Sequence, residues 1–146
     1  MESLRNFQTM CRYNNWMNEK IYAVCATIPD AVRKEDKGAF FRSIHGTLNH
    51  LLLADRLWLG RLTGTPYSVA RSLDQELYAD FDELRAERAR ADAELAAWLD
   101  GQTPERVEAP LTWVSMSNPQ EYTMPLWFVL LHLFNHQTHH RGQLTT

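Results

Sequence analysis

Little in this chain of 146 residues is suited to covalent stapling, membrane insertion or wrapping around nucleic acid. It has only two cysteines, Cys11 and Cys25, both within one predicted helix. At 1.5 Å of rise per residue their Cα atoms lie about 21 Å apart, too far for a disulfide. Neither belongs to a Cys-x-x-Cys pair, so reduced, partly buried thiols are expected. No apolar run approaches the roughly 18 residues of a membrane span. The segment from Met1 to Phe7 lacks the apolar stretch of a signal peptide, so the expected setting is cytoplasmic, with no membrane partner. The net charge is −3 and no basic stripe is present, which argues against a nucleic-acid partner. The arginines near 85–90 are matched by Asp82, Glu83, Glu87, Asp92 and Glu94, as on a solvated helix face. There is no internal repeat and no low-complexity tract, and the length suits a single domain over 1–146 with a core of its own.

Several catalytic signatures are also missing. No glutamate is followed three residues later by histidine, so the paired Glu-x-x-His pattern of di-iron bundles is absent. No His-Glu-x-x-His, Gly-x-Ser-x-Gly or phosphate-binding glycine loop occurs.

What is present is helical periodicity. Leu4, Phe7, Cys11, Met17, Ile21, Val24 and Ile28 predict a first helix over about 4–28, with Asn14 on the same stripe, buried and hydrogen-bonded. Ser43 is a plausible N-cap for a second helix that reaches Leu62 before Gly64 and Pro66. Its apolar arc is Ile44, Leu48, Leu51, Leu52, Leu59 and Leu62, with Asp55 oddly in the middle and His50 at the edge. A third helix is expected over about 80–99, closed by Gly101. Residues 102–124 predict a loop with a short hairpin. Thr123 and Pro125 are then expected to open the fourth helix. Four such helices imply an all-α four-helix bundle, and the long connections 63–79 and 100–124 imply at least one crossover.

Four of the six histidines fall in one short run, His132, His136, His139 and His140. Helical spacing puts His132, His136 and His140 on one stripe, and imidazoles at i and i+4 can grip one divalent metal if a third ligand arrives. His50 is the candidate third ligand. His45 points about 140° away from His50 on the wheel and is expected to stay out of the site. His139 is offset from the pair, whereas by spacing alone His132 competes with His140. Asp55 either orients an imidazole or, the favoured role, pairs with a buried arginine or indole. Trp16, Trp58 and Trp127 are expected as core aromatics. Glu121 is a candidate base, and Asn135 and Gln143 candidate orienting groups.

Four stretches, Arg12 to Asn18, Phe40 to His50, Leu52 to Leu59 and Leu131 to Gln143, resemble the DinB/YfiT-like metal-binding bundle superfamily in the same order. The last, with His-x-x-x-His-Arg-Gly-Gln, is the most specific. The resemblance implies an up-down-down-up bundle and one divalent metal, zinc or nickel, held by His50, His136 and His140. His132 and His139 then become neighbours. Related chains usually continue well past the Arg-Gly-Gln, so the expectation is either a chain trimmed after Thr146 or a last helix that is short and frays, with the ligands intact in both cases. The resemblance further implies a small-molecule substrate and a metal-dependent thiol transferase that uses a low-molecular-weight thiol in detoxification or stress response. A metal-dependent hydrolase and a non-catalytic metal-binding stress-response module are the alternatives. Bundles of this kind often pair through exposed faces, so a homodimer is expected.

Overall fold

The computed structural model describes residues 2–146, and Met1 lies outside them. Its main elements are four long helices, α1 (Glu2–Ala26), α3 (Ile44–Thr63), α4 (Phe81–Asp100) and α6 (Leu126–Leu144). Between them lie two short helices, α2 (Asp30–Lys34) and α5 (Pro104–Glu108), and one hairpin, β1 (Pro110–Val114) with β2 (Glu121–Pro125). The hairpin is antiparallel, with Thr112 opposite Thr123. It carries the strand pattern read in 102–124, whereas α2 and α5 are too short to show a helical period.

The long helices start and stop where local chemistry requires. Ser43 accepts a hydrogen bond from the Gly46 amide to cap α3, and Gly64 ends it with φ +73. Asp80 caps α4 through the Glu83 amide. Thr123, expected to open the last helix, instead sits in β2 with its hydroxyl bonded to Thr112 at 2.8 Å. The helix begins at Leu126 after Pro125, without a side-chain cap.

Contacts between side chains fix the helix directions. Tyr22 stacks on Phe81 and Asn18 bonds Asp92, so α1 and α4 are antiparallel. Phe7 meets Phe134 and Asn18 meets Arg141, so α1 and α6 run together. His50 meets His136 while Trp58 meets His132, so α3 opposes α6. Asn49 bonds Tyr78 and Arg56 bonds Glu94, so α3 and α4 are parallel neighbours. This is the up-down-down-up order. A parallel pair needs a connection that returns along the bundle, and residues 64–80 make that return. Asn49 holds its end by accepting from the Leu77 and Tyr78 amides.

The core is leucine-rich, with Leu48, Leu52, Leu84, Leu95, Leu99, Leu126, Leu130 and Leu133 nearly or fully inaccessible. The buried face of α1 differs from the expected stripe. It is Phe7, Cys11, Asn14, Asn18, Tyr22 and Cys25, while Val24 is 60% exposed. The reason is a polar seam through the centre of the bundle. Asp55 accepts from Arg88 at 2.5 Å and from Gln137 at 2.6 Å. Arg88 also donates to Asp92, which accepts from Asn18. Arg141 donates to Asn14 and Asn18. A hydrophobic period cannot register a helix face whose inward positions are asparagines. Burial alone would lower the Arg88 pKa, but Asp55 and Asp92 outweigh it and hold the guanidinium charged. Desolvation, with Asp55 nearby, pushes Asp92 upward despite Arg88. Asp55 thus has the structural role favoured from sequence, and it bonds no imidazole.

Trp16 is 53% exposed and Trp127 37%, so neither is a core aromatic. Trp16 lies under the Lys20 ammonium. Trp58 is buried as expected. Cys11 and Cys25 are free and buried, and burial, reinforced by Asp92, pushes the Cys11 thiol up to about 12. No described helix is long and apolar enough to cross a membrane.

Candidate metal centre

Antiparallel packing of α3 against α6 brings His50 opposite His136 and His140. One ring nitrogen from each of the three lies within 4.8 Å of the others. The Nε2 atoms of His50 and His136 are 3.2 Å apart. Two nitrogens at 2.0–2.1 Å from one tetrahedral zinc would lie about 3.3 Å apart, so this spacing fits a shared ion.

Two of the three rings are held by their other nitrogen. His50 Nδ1 lies 2.7 Å from the Leu73 carbonyl, which can only accept, so the proton is on Nδ1 and Nε2 presents a lone pair. His140 Nδ1 likewise meets Gln143 Oε1 at 2.7 Å. Such partners fix ring orientation and tautomer for ligation. The crossover therefore does more than connect two helices: its residue 73 carbonyl aims a site residue.

Phe41 completes this wall. Its ring stacks on His50 with centroids 3.8 Å apart and meets His140 edge-on. A tight turn, with an Ala39–Arg42 bridge and Arg42 at φ +66, brings it there. Gly46 allows the approach, because a Cβ on it would collide with the Phe41 carbonyl oxygen.

His50 and His140 are buried, and His136 is partly so. Burial, then the neighbouring His140 and His50, push the His136 pKa down to about 3. Burial also lowers His50, against the opposing effect of the Leu73 carbonyl, and lowers His140 against that of Gln143. All three are thus neutral near pH 7, the form that ligates metals.

On one side of the triad is a cavity of about 210 Å³ lined by His50 and His136, together with Trp58, Arg61, Trp113 and His132. His132 packs on Trp58 with centroids 5.6 Å apart and lies outside the three-nitrogen group. His139 is exposed, and its Nε2 lies 3.5 Å from Gln143. His45 bonds the Tyr78 carbonyl and stays out of the site. Asn135 is exposed. Glu121 is exposed on β2 and does not line the cavity. A hollow of about 670 Å³ beyond Gln143, lined by Lys37 and Thr146 among others, includes none of the three histidines. The last helix runs to Leu144, a full turn past His140.

Sequence reasoning missed Phe41, Leu73, Arg61, Trp113, Ser115 and Ser117. Only Phe41 left a trace, inside the stretch from Phe40 to His50. Leu73 acts through its backbone carbonyl, and the hairpin residues arrive through tertiary packing.

The comparisons with known proteins agree with this architecture. The model of the DinB family matches residues 1–146. The chain belongs to the DinB family. It is also 27% identical over 140 residues to Protein DinB of Bacillus subtilis (strain 168), a match covering 91% of this chain and 78% of that protein. In this member of the DinB family, the His-x-x-x-His-Arg-Gly-Gln run contributes to two distinct structures. His136 and His140 face His50, while Arg141 turns inward to Asn14 and Asn18.

Proposed function

We propose that this DinB-family chain holds one divalent ion, zinc or nickel, on His50, His136 and His140, and works as a metal-dependent thiol S-transferase in detoxification or stress response. The observation that carries the proposal is the convergence of three neutral imidazoles beside a cavity, two of them fixed by Leu73 and Gln143. Three protein ligands leave a coordination position open, as in catalytic sites and unlike closed structural ones. When bound, the ion would supply Lewis acidity that favours the deprotonated form of a thiol or water beside it.

The chain's own residues serve the rest of the reaction. Phe41 covers one side of the triad, and Trp58 forms part of the cavity wall on the other. The cavity admits the electrophile. The thiolate sulfur forms a bond to carbon as the bond from that carbon to its leaving group breaks, and the thiol proton passes to solvent. Hydrolysis is the second reading, and it asks for a base beside the attacking water. Among the described residues no carboxylate lines the cavity, and the imidazole that lines it outside the triad, His132, packs on Trp58; a thiol needs only to lose its own proton.

Calorimetric titration of glutathione tests the proposal. Binding is expected in zinc-reconstituted wild type with release of a proton, and is expected to vanish after chelation and in His136→Ala. Equal binding in chelated protein or in the variant would overturn it.

A further inference from the structure

Away from the triad, the same cavity contains a cation without an ionic partner. Arg61, in the last turn of α3, lays its guanidinium 4.3 Å over the Trp58 ring. Among the described residues no carboxylate lies within salt-bridge distance of it. Arg56, just over one turn earlier, contrasts with it by reaching both Glu87 and Glu94. Arg33, Arg88 and Arg141 likewise have oxygen partners on neighbouring elements. Arg61 is partly buried and lines the cavity wall with Ser115 and Ser117 of the hairpin turn. Desolvation lowers its pKa, and its charge is close enough to help lower that of His132. A guanidinium is a planar fork that matches carboxylate and phosphate oxygens. Ser115 and Ser117 line the same cavity with their hydroxyls bonded to each other at 3.2 Å, which leaves one hydroxyl proton free to donate.

The rings between the two ends form a continuous wall. Trp58 packs edge-on against Trp113 at 5.2 Å and against His132 at 5.6 Å, and His132 lies 5.9 Å from His136. A molecule lying along this wall would have one end at the histidines and the other at the guanidinium. His50 and Arg61 are eleven residues apart on α3, about 16 Å along the helix at 1.5 Å per residue, so such a molecule is extended.

We propose that Arg61, with the Ser115 and Ser117 hydroxyls, forms an oxyanion-binding end of this cavity, so that the substrate is an elongated organic molecule carrying a carboxylate or phosphate remote from its reacting atom. The choice of the triad as the reacting end rests on the function proposed above; anion capture by Arg61 does not. Arg61 is here a positioning and specificity residue, and bonds no reacting atom.

The test uses probes that need no free thiol. S-Methylglutathione, its diethyl ester and phenyl phosphate are titrated calorimetrically into wild type, Arg61→Gln and Arg61→Lys, each with and without added zinc. S-Methylglutathione or phenyl phosphate is expected to bind wild type and to weaken roughly tenfold or more in Arg61→Gln, the loss of a charge-assisted bond. Arg61→Lys should keep part of the affinity, and the diester should bind weakly and equally to all three proteins. The probe that loses affinity distinguishes a carboxylate from a phosphate ligand. Equal affinity for acid and ester, equal affinity in wild type and Arg61→Gln, or no binding of either anion to wild type would each overturn the proposal. If free glutathione fails to show zinc-dependent binding while these anion effects persist, the thiol-transfer reading fails and the Arg61 site stands.

Discussion

Two buried polar clusters lie side by side on α6, and they are built on opposite plans. Gln137 and Arg141 face the bundle centre, where Asp55, Asp92, Arg88 and the asparagines Asn14 and Asn18 join donors to acceptors. His136 and His140, each one residue earlier, face His50, and that cluster gathers like groups. The first cluster is held together by the chain's own opposite charges. In the second, His50 and His140 turn their inner nitrogens toward His136, with their outer nitrogens already committed to Leu73 and Gln143. Buried ions matched by partners form a structural seam, whereas three converging imidazole nitrogens lie close enough together to hold a cation.

The largest effect that separates the two is on folding. Asp55→Ala removes the acceptor shared by Arg88 and Gln137 and leaves a buried guanidinium short of charge. It should cost about 3–5 kcal/mol by urea denaturation. His136→Ala in metal-free protein should cost less than about 1 kcal/mol, since it relieves crowding among imidazoles. A comparable loss in both variants would erase the distinction.

The next effect is metal-dependent. Zinc at a hundred times its dissociation constant should stabilise wild type by about 2.7 kcal/mol, read as a rise in Tm, and should leave His136→Ala unmoved. Asp55→Ala should still gain from zinc, because its defect lies in the neighbouring cluster.

Acid should also act mainly on the histidine cluster. The folded pKa of His136 is lowered from 6.5 to about 3, so the unfolded chain binds the extra proton first. Stability of chelated protein is therefore full above about pH 6.5 and falls as the pH drops toward 3. His50 and His140 shift in the same direction. Thermal melts between pH 7 and pH 5 should show the decline, and His136→Ala should flatten it. A slope unchanged in the variant would assign the effect elsewhere.

How much of this was legible in the sequence follows from the same contrast. His136 and His140 could be read because i, i+4 spacing survives in any helix, and His50 because it stands at the edge of an apolar arc; the resemblance then set His132 and His139 aside. Asp55 was visible as a carboxylate in an apolar arc. The seam it anchors was not, because Asn18 carries no hydrophobic signal, and the expected stripe on α1 was drawn through Val24 instead. Thr123 looked like a cap but entered a strand, since pairing with Thr112 outweighed a local preference. Trp16 and Trp127 were expected inside by residue type, yet the helix faces they occupy look outward. Arg61 gave no sign at all, because its isolation from carboxylates is a tertiary fact.

The smallest predicted effect concerns orientation. Gln143→Ala frees His140 Nδ1 and should weaken metal binding about tenfold, the lower end for loss of a ligand's outer hydrogen bond. Competition with a chromophoric chelator measures this, and an unchanged affinity would leave Gln143 without a role in the site.

Elemental analysis of untagged protein, wild type beside His50→Ala and His136→Ala, tests the central claim most directly. The account predicts about one equivalent of zinc or nickel per chain in wild type, by the one-site geometry of three imidazoles, and near-complete loss in both variants. Equal metal in all three proteins, or a wild type that takes up none even after dialysis against zinc, would contradict it.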